Sequence, residues 1–471
     1  MGAVPSAPSD TQVEELRAAQ AESVHRAAAA IAQADVLLLL TGAGWSKDSG
    51  LAVYRDVADV KAYRDHGLTY ADICEPRWLE ENPELFYGFW GRCFNDYRET
   101  KEHEGYSIVK RWRDTLFACN DASERLAARH KGGARAFFSF TSNVDAHHLR
   151  VFDGETEVRE CHGNCETFQC SNSLGCNAYD DASAMSTTPP SDTPRRWLAP
   201  SGFRFAVDAK TQLAPSGVPR QPADSPQEAA AAGFASNQPV CPRCGSGLRP
   251  SILMFKDTKW LDNPDQEERW NAWQHAVEEE QQARATAELP PLRLAILEAG
   301  AGGTVRTVRN LAECMLETMR GYGAVTTLIR INPELPLADT ATNQEATISL
   351  FCSGLSAVRQ IDQAMQELLA QGEAAVEKAD ATPVVLQTVC LAPRRVDPRQ
   401  LERPSRNQHR EKEVKGWIVE AQELEAGGQM MEAMELWRKA FKVCPQLESQ
   451  LDQSAEWGPL QPEPEPELEQ P

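Results

Sequence analysis

Two mainly apolar runs, Val36 to Leu40 and Ala136 to Phe140, the second interrupted by Ser139 alone, stand out from a largely polar chain. Runs of this length without polar alternation predict strands buried on both faces, as in a parallel sheet. Ahead of the first lies an Ala-rich stretch, Thr11 to Gln33, in which Val13, Leu16 and Val24 form a partial helical stripe. Between the two runs, Tyr63 to Cys119 is rich in aromatics and helix formers and predicts inserted helices. Phe86, Tyr87, Phe89 and Trp90 within it read first as core residues. From Leu292 the order is strand (LRLAILEAG), glycine loop (AGGT), helix and strand (AVTTLIRIN). Val305, Val308, Leu311, Ala312, Met315 and Met319 fall at helical spacing, so this is a βαβ unit.

At 471 residues the chain has room for about three domains. We expect an N-terminal helix over 1–33, an α/β domain over 34–375, a linker over 376–415, a C-terminal helical hairpin over 416–450 and an acidic tail over 451–471. A small module over about 160–250 is interrupted at 177–240 by an insert rich in Ala, Ser, Pro and Asp, expected to be a mobile loop. Trp417, Ala421, Leu424, Gly428, Ala433, Trp437, Ala440 and Pro445 fall at tetratricopeptide positions, with Leu424 for the usual Tyr. One such repeat cannot bury its own face, so the body, a partner or a second copy must cover it; an ordinary helical hairpin fits these residues as well.

The 48 basic and 69 acidic residues give a net charge of −21. That balance argues against direct nucleic-acid binding and suits basic substrates such as Lys-rich protein tails, though solubility alone explains it equally. Thirteen cysteines, an odd number, and no charged-then-apolar leader argue against a secreted disulfide scaffold and for a reducing cytoplasm or nucleus. Val36 to Leu40 is too short to cross a bilayer. Gly2 and Ser6 fit an N-myristoylation pattern, but no basic cluster adjoins it and one acyl chain anchors weakly, so stable membrane residence is not expected.

The chemistry gathers at the ends of the predicted strands. Asn143 and Asp145 follow the second apolar run, where a parallel sheet opens its ligand crevice. Gly42-Ala43-Gly44 follows the first, where glycines let the backbone approach a phosphate. Lys47 stands where the ordinary dinucleotide fingerprint has its third glycine, so a hydride-transfer reading loses ground. Cys170 and Cys176, with Cys241-Pro-Arg-Cys244-Gly, make two thiol pairs of the kind that hold tetrahedral structural zinc. Cys161 and Cys165 rank below them because they flank His162-Gly163, a candidate base.

Taken together, GAGWSKDSGLAVYR, TSNVD, the His-Gly, the thiol pairs, CPRCGSGLRPSILMF and RINPE make the chain resemble the sirtuins, NAD-dependent protein-lysine deacylases, over roughly Val36 to Gly354. The resemblance implies a Rossmann-like parallel sheet binding NAD, with a small zinc-binding module and a helical insertion. It implies NAD contacts from Gly42, Ala43, Gly44, Ser46, Ser49 and Arg55, then Ser142, Asn143 and Asp145. Further contacts follow at Gly300, Ala301 and Gly302, at Asn332 and Glu334 beside the adenosine ribose, and at Gly354 beside the adenine. His162 would deprotonate a ribose hydroxyl, Asp145 would grip the carboxamide and Asn143 would order a water and the ribose, with His148 structural. Zinc would sit on Cys170, Cys176, Cys241 and Cys244, and an acylated lysine would lie along Leu253, Met254 and Phe255.

The chain departs from that pattern in telling ways. Val53-Tyr54 stands for Asp-Phe before Arg55, Ser142 for a Gln, Lys256-Asp257 for Gly-Glu, and Ala301-Gly302 for Thr-Ser, where backbone amides must replace the hydroxyls. Sirtuins that remove acidic acyl groups carry Tyr-x-x-Arg where this chain has Tyr87 and Trp90, so an uncharged acyl group is expected. Two rival readings stay open: mono-ADP-ribosyl transfer or NAD hydrolysis, prompted by Ser142, and a non-catalytic NAD-binding scaffold that uses the C-terminal hairpin to hold a protein partner.

Overall fold

A computed structural model of the chain describes residues 5, 7–53, 63, 67–129, 135–172, 176, 196–217 and 232–380. The chain divides after Pro383 into two units, and every described residue lies in the first. The C-terminal hairpin, the acidic tail and all of the linker beyond Asp380 lie outside the described residues, as do Gly2 and Ser6.

Both apolar runs become strands. β1 (Val36–Thr41) and β2 (Phe137–Thr141) are buried along their whole length. They are followed by β3 (Val158–Glu160), β4 (Gly163–Cys170), β5 (Arg196–Leu198), β6 (Leu248–Ile252), β7 (Arg293–Ala299), β8 (Val325–Ile331) and β9 (Thr347–Leu350). The main sheet has the order β3-β2-β1-β7-β8-β9. Each neighbouring pair in it is parallel. Counted within the sheet this is the doubly wound order, whose direction reverses between β1 and β7 and so opens a crevice at their carboxyl ends. Thr41 pairs with Ala299 there, and each strand runs directly into a glycine loop.

The helix following the second glycine loop, Thr307–Gly321, buries Val308, Ala312, Met315, Leu316 and Met319, as its spacing predicts. Val305 lies before its first turn. The N-terminal helix is two: Asp10–Ala18, started by a Ser9–Gln12 capping box, and Gln20–Ala32, which buries Val24, Ala27, Ala28 and Ile31. Gly354–Asp380 runs five residues past the boundary expected at 375.

The inserted helices and the small module share a second core. Asn82 caps the helix Pro83–Glu99 by accepting the Leu85 amide at 3.1 Å. Phe94 on that helix meets Phe168, Phe203 and Phe205 with ring centroids 6.0, 6.0 and 5.4 Å apart. The module's sheet is antiparallel, in the order β5-β4-β6. A mobile loop across 177–240 does not hold for residues 196–217 and 232–240, because Phe203, Phe205, Ala214 and Phe234 are buried in this core. Asn95 fastens the segment, donating to the Phe205 carbonyl at 2.9 Å and accepting its amide at 3.0 Å. A few well-spaced aromatics anchor a stretch whose average composition looks disordered. Among the described residues no helix is long and apolar enough to cross a membrane.

Candidate active site

The two glycine loops are knitted together at the switch point. A Cβ on Gly42 would lie 2.8 Å from the Ala301 Cα, one on Gly44 2.8 Å from the Gly300 Cα, and Gly300 itself has φ +69°. The Gly44 amide donates to the Gly300 carbonyl at 3.0 Å. Only glycine permits this approach and this φ. Asn332, at the end of β8, donates to the Ala301 carbonyl at 2.8 Å and accepts the amides of Glu334 and Leu335 at 2.8 and 2.9 Å. Its side chain is thus occupied in shaping the second loop, while Glu334 is exposed. Gly354 packs against the Trp45 ring, where a Cβ would come within 2.7 Å of a ring carbon. Ser49 accepts the His103 amide at 3.1 Å, and Arg55 lies outside the described residues.

Beside these loops is a cavity of about 420 Å³. Of the predicted site residues it brings together Ala43, Ser46, Ser142, Asn143, Asp145, His162, Leu253, Met254 and Phe255. Gly42, Gly44, Ser49, Gly300, Ala301, Gly302, Asn332, Glu334 and Gly354 are not in its wall. The glycines and Asn332 build the loops behind it.

Asp145 is buried and doubly held: the Ser46 hydroxyl donates to Oδ2, and the His147 amide donates to Oδ1 at 2.9 Å. Asn143 is buried too, its Nδ2 without an acceptor. Below them, Thr41 Oγ1 lies 2.7 Å from Thr141 Oγ1 and 2.9 Å from His148 Nε2, and Ser139 Oγ lies 2.7 Å from His148 Nδ1. Both ring nitrogens of His148 are therefore engaged by hydroxyls, and burial pushes its pKa down to about 4. It is a neutral structural histidine.

His162 sits where β3 passes into β4. Its carbonyl accepts the Leu253 amide at 2.9 Å, tying it to the segment after β6, and its Nε2 lies 3.3 Å from Thr307 Oγ1. Burial lowers its pKa, opposed in part by a hydrogen bond to the Ser142 backbone. Two residues earlier Glu160 is fully buried; burial raises its carboxyl to about 8, against the opposing hydrogen bond from Asn164 at 2.5 Å.

Cys170, Cys176, Cys241 and Cys244 converge, with all four sulfurs within 4.8 Å of one another. Cys170 and Cys244 are 3.5 Å apart, and Cys176 and Cys241 are 3.8 Å apart. Four thiolates at about 2.3 Å from a tetrahedral zinc would be about 3.8 Å apart, so this donor set fits that ion. Gly245, at φ +73°, makes the tight turn after the second pair. Cys161 and Cys165 stand apart from this cluster.

Several neighbours escaped the sequence reading. The Ser46–Asp145 contact and the nearness of Thr307 to His162 join residues about 100 or more positions apart, which no local pattern reveals. Lys256, at φ +56°, reaches Glu75 at 2.8 Å, and Tyr70 meets Phe255 with ring centroids 6.0 Å apart. These contacts join the helical insertion to the segment after β6 beside the cavity. Lys256 thus turns away along the rim, and Asp257 closes on Arg249 at 2.6 Å.

No family model matches the chain. Among curated proteins it is 27% identical over 226 residues to NAD-dependent protein deacetylase 2 of Bradyrhizobium diazoefficiens, an alignment covering 48% of this chain and 66% of that protein. It is 30% identical over 144 residues to the NAD-dependent protein deacylase of Deinococcus radiodurans, covering 30% of this chain and 49% of that one. A solved Sir2 homologue in complex with NAD aligns over 74% of this chain and 94% of its own, at 17% identity and a TM-score of 0.42. The chain thus spans less than two thirds of the length of either curated relative, 66% of the first and 49% of the second. Over part of its length the chain is thus similar to NAD-dependent protein deacetylases and deacylases, and its own predicted site residues meet at one cavity.

Proposed function

We propose that the chain is an NAD-dependent protein-lysine deacylase that acts on an uncharged acyl group. The observation that carries this reading is one cavity wall shared by His162, Asn143 and Asp145 on one side and Leu253, Met254 and Phe255 on the other. NAD would supply an electrophilic ribose carbon with nicotinamide as its leaving group, held by the two knitted glycine loops. Asp145, fixed by Ser46 and the His147 amide, orients the carboxamide. Asn143, with a free buried Nδ2, donates to the ribose or to a water beside it. His162, kept neutral near pH 7 by burial, is the base that takes the proton from a ribose hydroxyl.

Leu253 and Phe255, 40% and 37% exposed, offer an apolar edge to an extended substrate. Among the described residues the one Lys or Arg in the wall, Lys256, is paired with Glu75, so a charged acyl group finds no free counter-ion among them. The zinc cluster fastens the module that carries β4 and β6, and so fixes His162 and Leu253 relative to each other.

Nicotinamide release, assayed with labelled NAD and a panel of acylated peptides, tests the proposal; the expected products are free lysine and acyl-ADP-ribose. Ser142 in the cavity wall favours one alternative, because its short side chain holds the ribose less firmly than an amide would. Label on protein rather than on acyl-ADP-ribose would establish ADP-ribosyl transfer instead.

A further inference from the structure

We propose that Thr307 is a positioning residue for the base: its hydroxyl holds the His162 imidazole in the attitude needed to take a proton from the ribose, and so ties the base to the second glycine loop; this rests on the deacylase reading. Thr307 Oγ1 lies 3.3 Å from His162 Nε2. Among the described residues it is the one side chain that hydrogen-bonds this ring, whose other hydrogen bond is to the Ser142 backbone.

The hydroxyl has no task in its own helix. Thr307–Gly321 begins without a side-chain cap, and the Asn310 amide donates to the Arg306 carbonyl at 2.8 Å. A threonine at a helix start commonly spends its hydroxyl on a nearby backbone amide. This one reaches instead to a residue 145 positions away in the sequence.

The turn that carries Thr307 is fixed. Val308 is buried, and the buried Arg309 donates to Asp339 Oδ1 at 2.6 Å and to the Leu335 and Leu337 carbonyls at 2.9 and 2.8 Å. His162 is carried at the edge of the small module, where its carbonyl accepts the Leu253 amide at 2.9 Å. The Thr307 contact therefore joins a rigid turn, just after the loop that would hold NAD, to a base that is only half-buried.

A hydroxyl suits a base because it both donates and accepts. It donates to the lone pair of a neutral imidazole and, turned about its C–O bond, accepts from the N–H of a protonated one, so the ring stays held throughout the proton transfer. The 3.3 Å separation is long for a hydrogen bond, and contacts of catalytic groups are often this long before substrate binds.

The test is nicotinamide release by the full chain with NAD and the acetyl- and butyryl-lysine forms of one peptide. Wild type, Thr307→Val and Thr307→Ser are compared in kcat and both KM values, with NAD affinity measured by calorimetry. Thr307→Val keeps the shape and removes the hydroxyl. It should lower kcat roughly tenfold, the worth of one hydrogen bond, while both KM values and the NAD affinity stay within about twofold. Thr307→Ser should return kcat to within about twofold of wild type. Wild-type kcat in Thr307→Val, a Thr307→Ser as slow as Thr307→Val, or a loss carried by the KM for NAD overturns the proposal. Should Thr307→Val fail to fold, Thr307→Ala against Thr307→Ser gives the same decision. Release that requires His162 but ignores Thr307 sinks this inference and leaves the deacylase reading standing. No release by wild type with either peptide sinks both.

Discussion

Replacing Glu160 by Gln should stabilise the protein in a way that depends on pH. Glu160 ends β3 opposite Thr141, two residues before His162, and its carboxyl is raised from 4.5 to about 8, chiefly by burial. A carboxyl whose folded pKa exceeds its unfolded value binds more protons in the folded state, so stability falls as pH rises through the interval between the two. The destabilisation is absent below about pH 4.5, amounts to about 3 kcal/mol at pH 7 and levels off near 5 kcal/mol well above pH 8. Gln keeps an oxygen for the Asn164 amide and removes the ionisation. Thermal unfolding of wild type and Glu160→Gln, followed from pH 4.5 to 9, should therefore coincide at the acid end. The variant should lead by about 5 °C or more near pH 8. Curves that stay parallel across the range would refute the burial argument. A variant less stable at every pH would show that the ionised carboxylate has a partner there.

Cys241→Ser should reduce bound zinc from about one per chain to near zero and unfold the small module, since a structural zinc contributes its binding energy to folding; metal analysis with near-UV circular dichroism checks both, and full zinc in the variant would disprove the four-thiol site. Phe205→Ala should cost about 3–5 kcal/mol in denaturant unfolding, because the ring is buried among Tyr87, Phe94, Phe168 and Phe203. A loss below about 1 kcal/mol would return residues 196–217 to the status of a mobile loop.

The parts legible in the sequence were those whose signal is local. β1 and β2 are mainly apolar runs, the helix Thr307–Gly321 keeps an apolar stripe, and the x-x spacing of Cys241 and Cys244 marks a metal knuckle on its own. β3 was invisible because it reads Val-Arg-Glu. Two of its three buried residues are ionisable, and Arg159 is buried beside Asp262 and Glu267 at 2.6 and 3.0 Å. The helix Pro264–Thr286 hid for a related reason: it buries Gln266, Glu280 and Gln281 beside Trp270 and Trp273, which blurs the contrast between its faces. Glu280 is held by Arg129 and Arg284, partners from distant and near sequence alike. Asn332 illustrates the remaining gap, since its residue type pointed to a ribose while its bonds go to the Ala301 carbonyl and the amides of Glu334 and Leu335.

The central claim is that His162 is the base of a cavity built by two glycine loops and a metal-fastened module. The most direct measurement is nicotinamide release at saturating NAD and acylated peptide by wild type and His162→Ala, with NAD binding measured separately by calorimetry. The account predicts retained binding, release lost by at least about a hundredfold, and a wild-type rate that declines only below pH 6.5, as the imidazole is protonated. Undiminished release in His162→Ala, with its NAD binding unchanged, would contradict it.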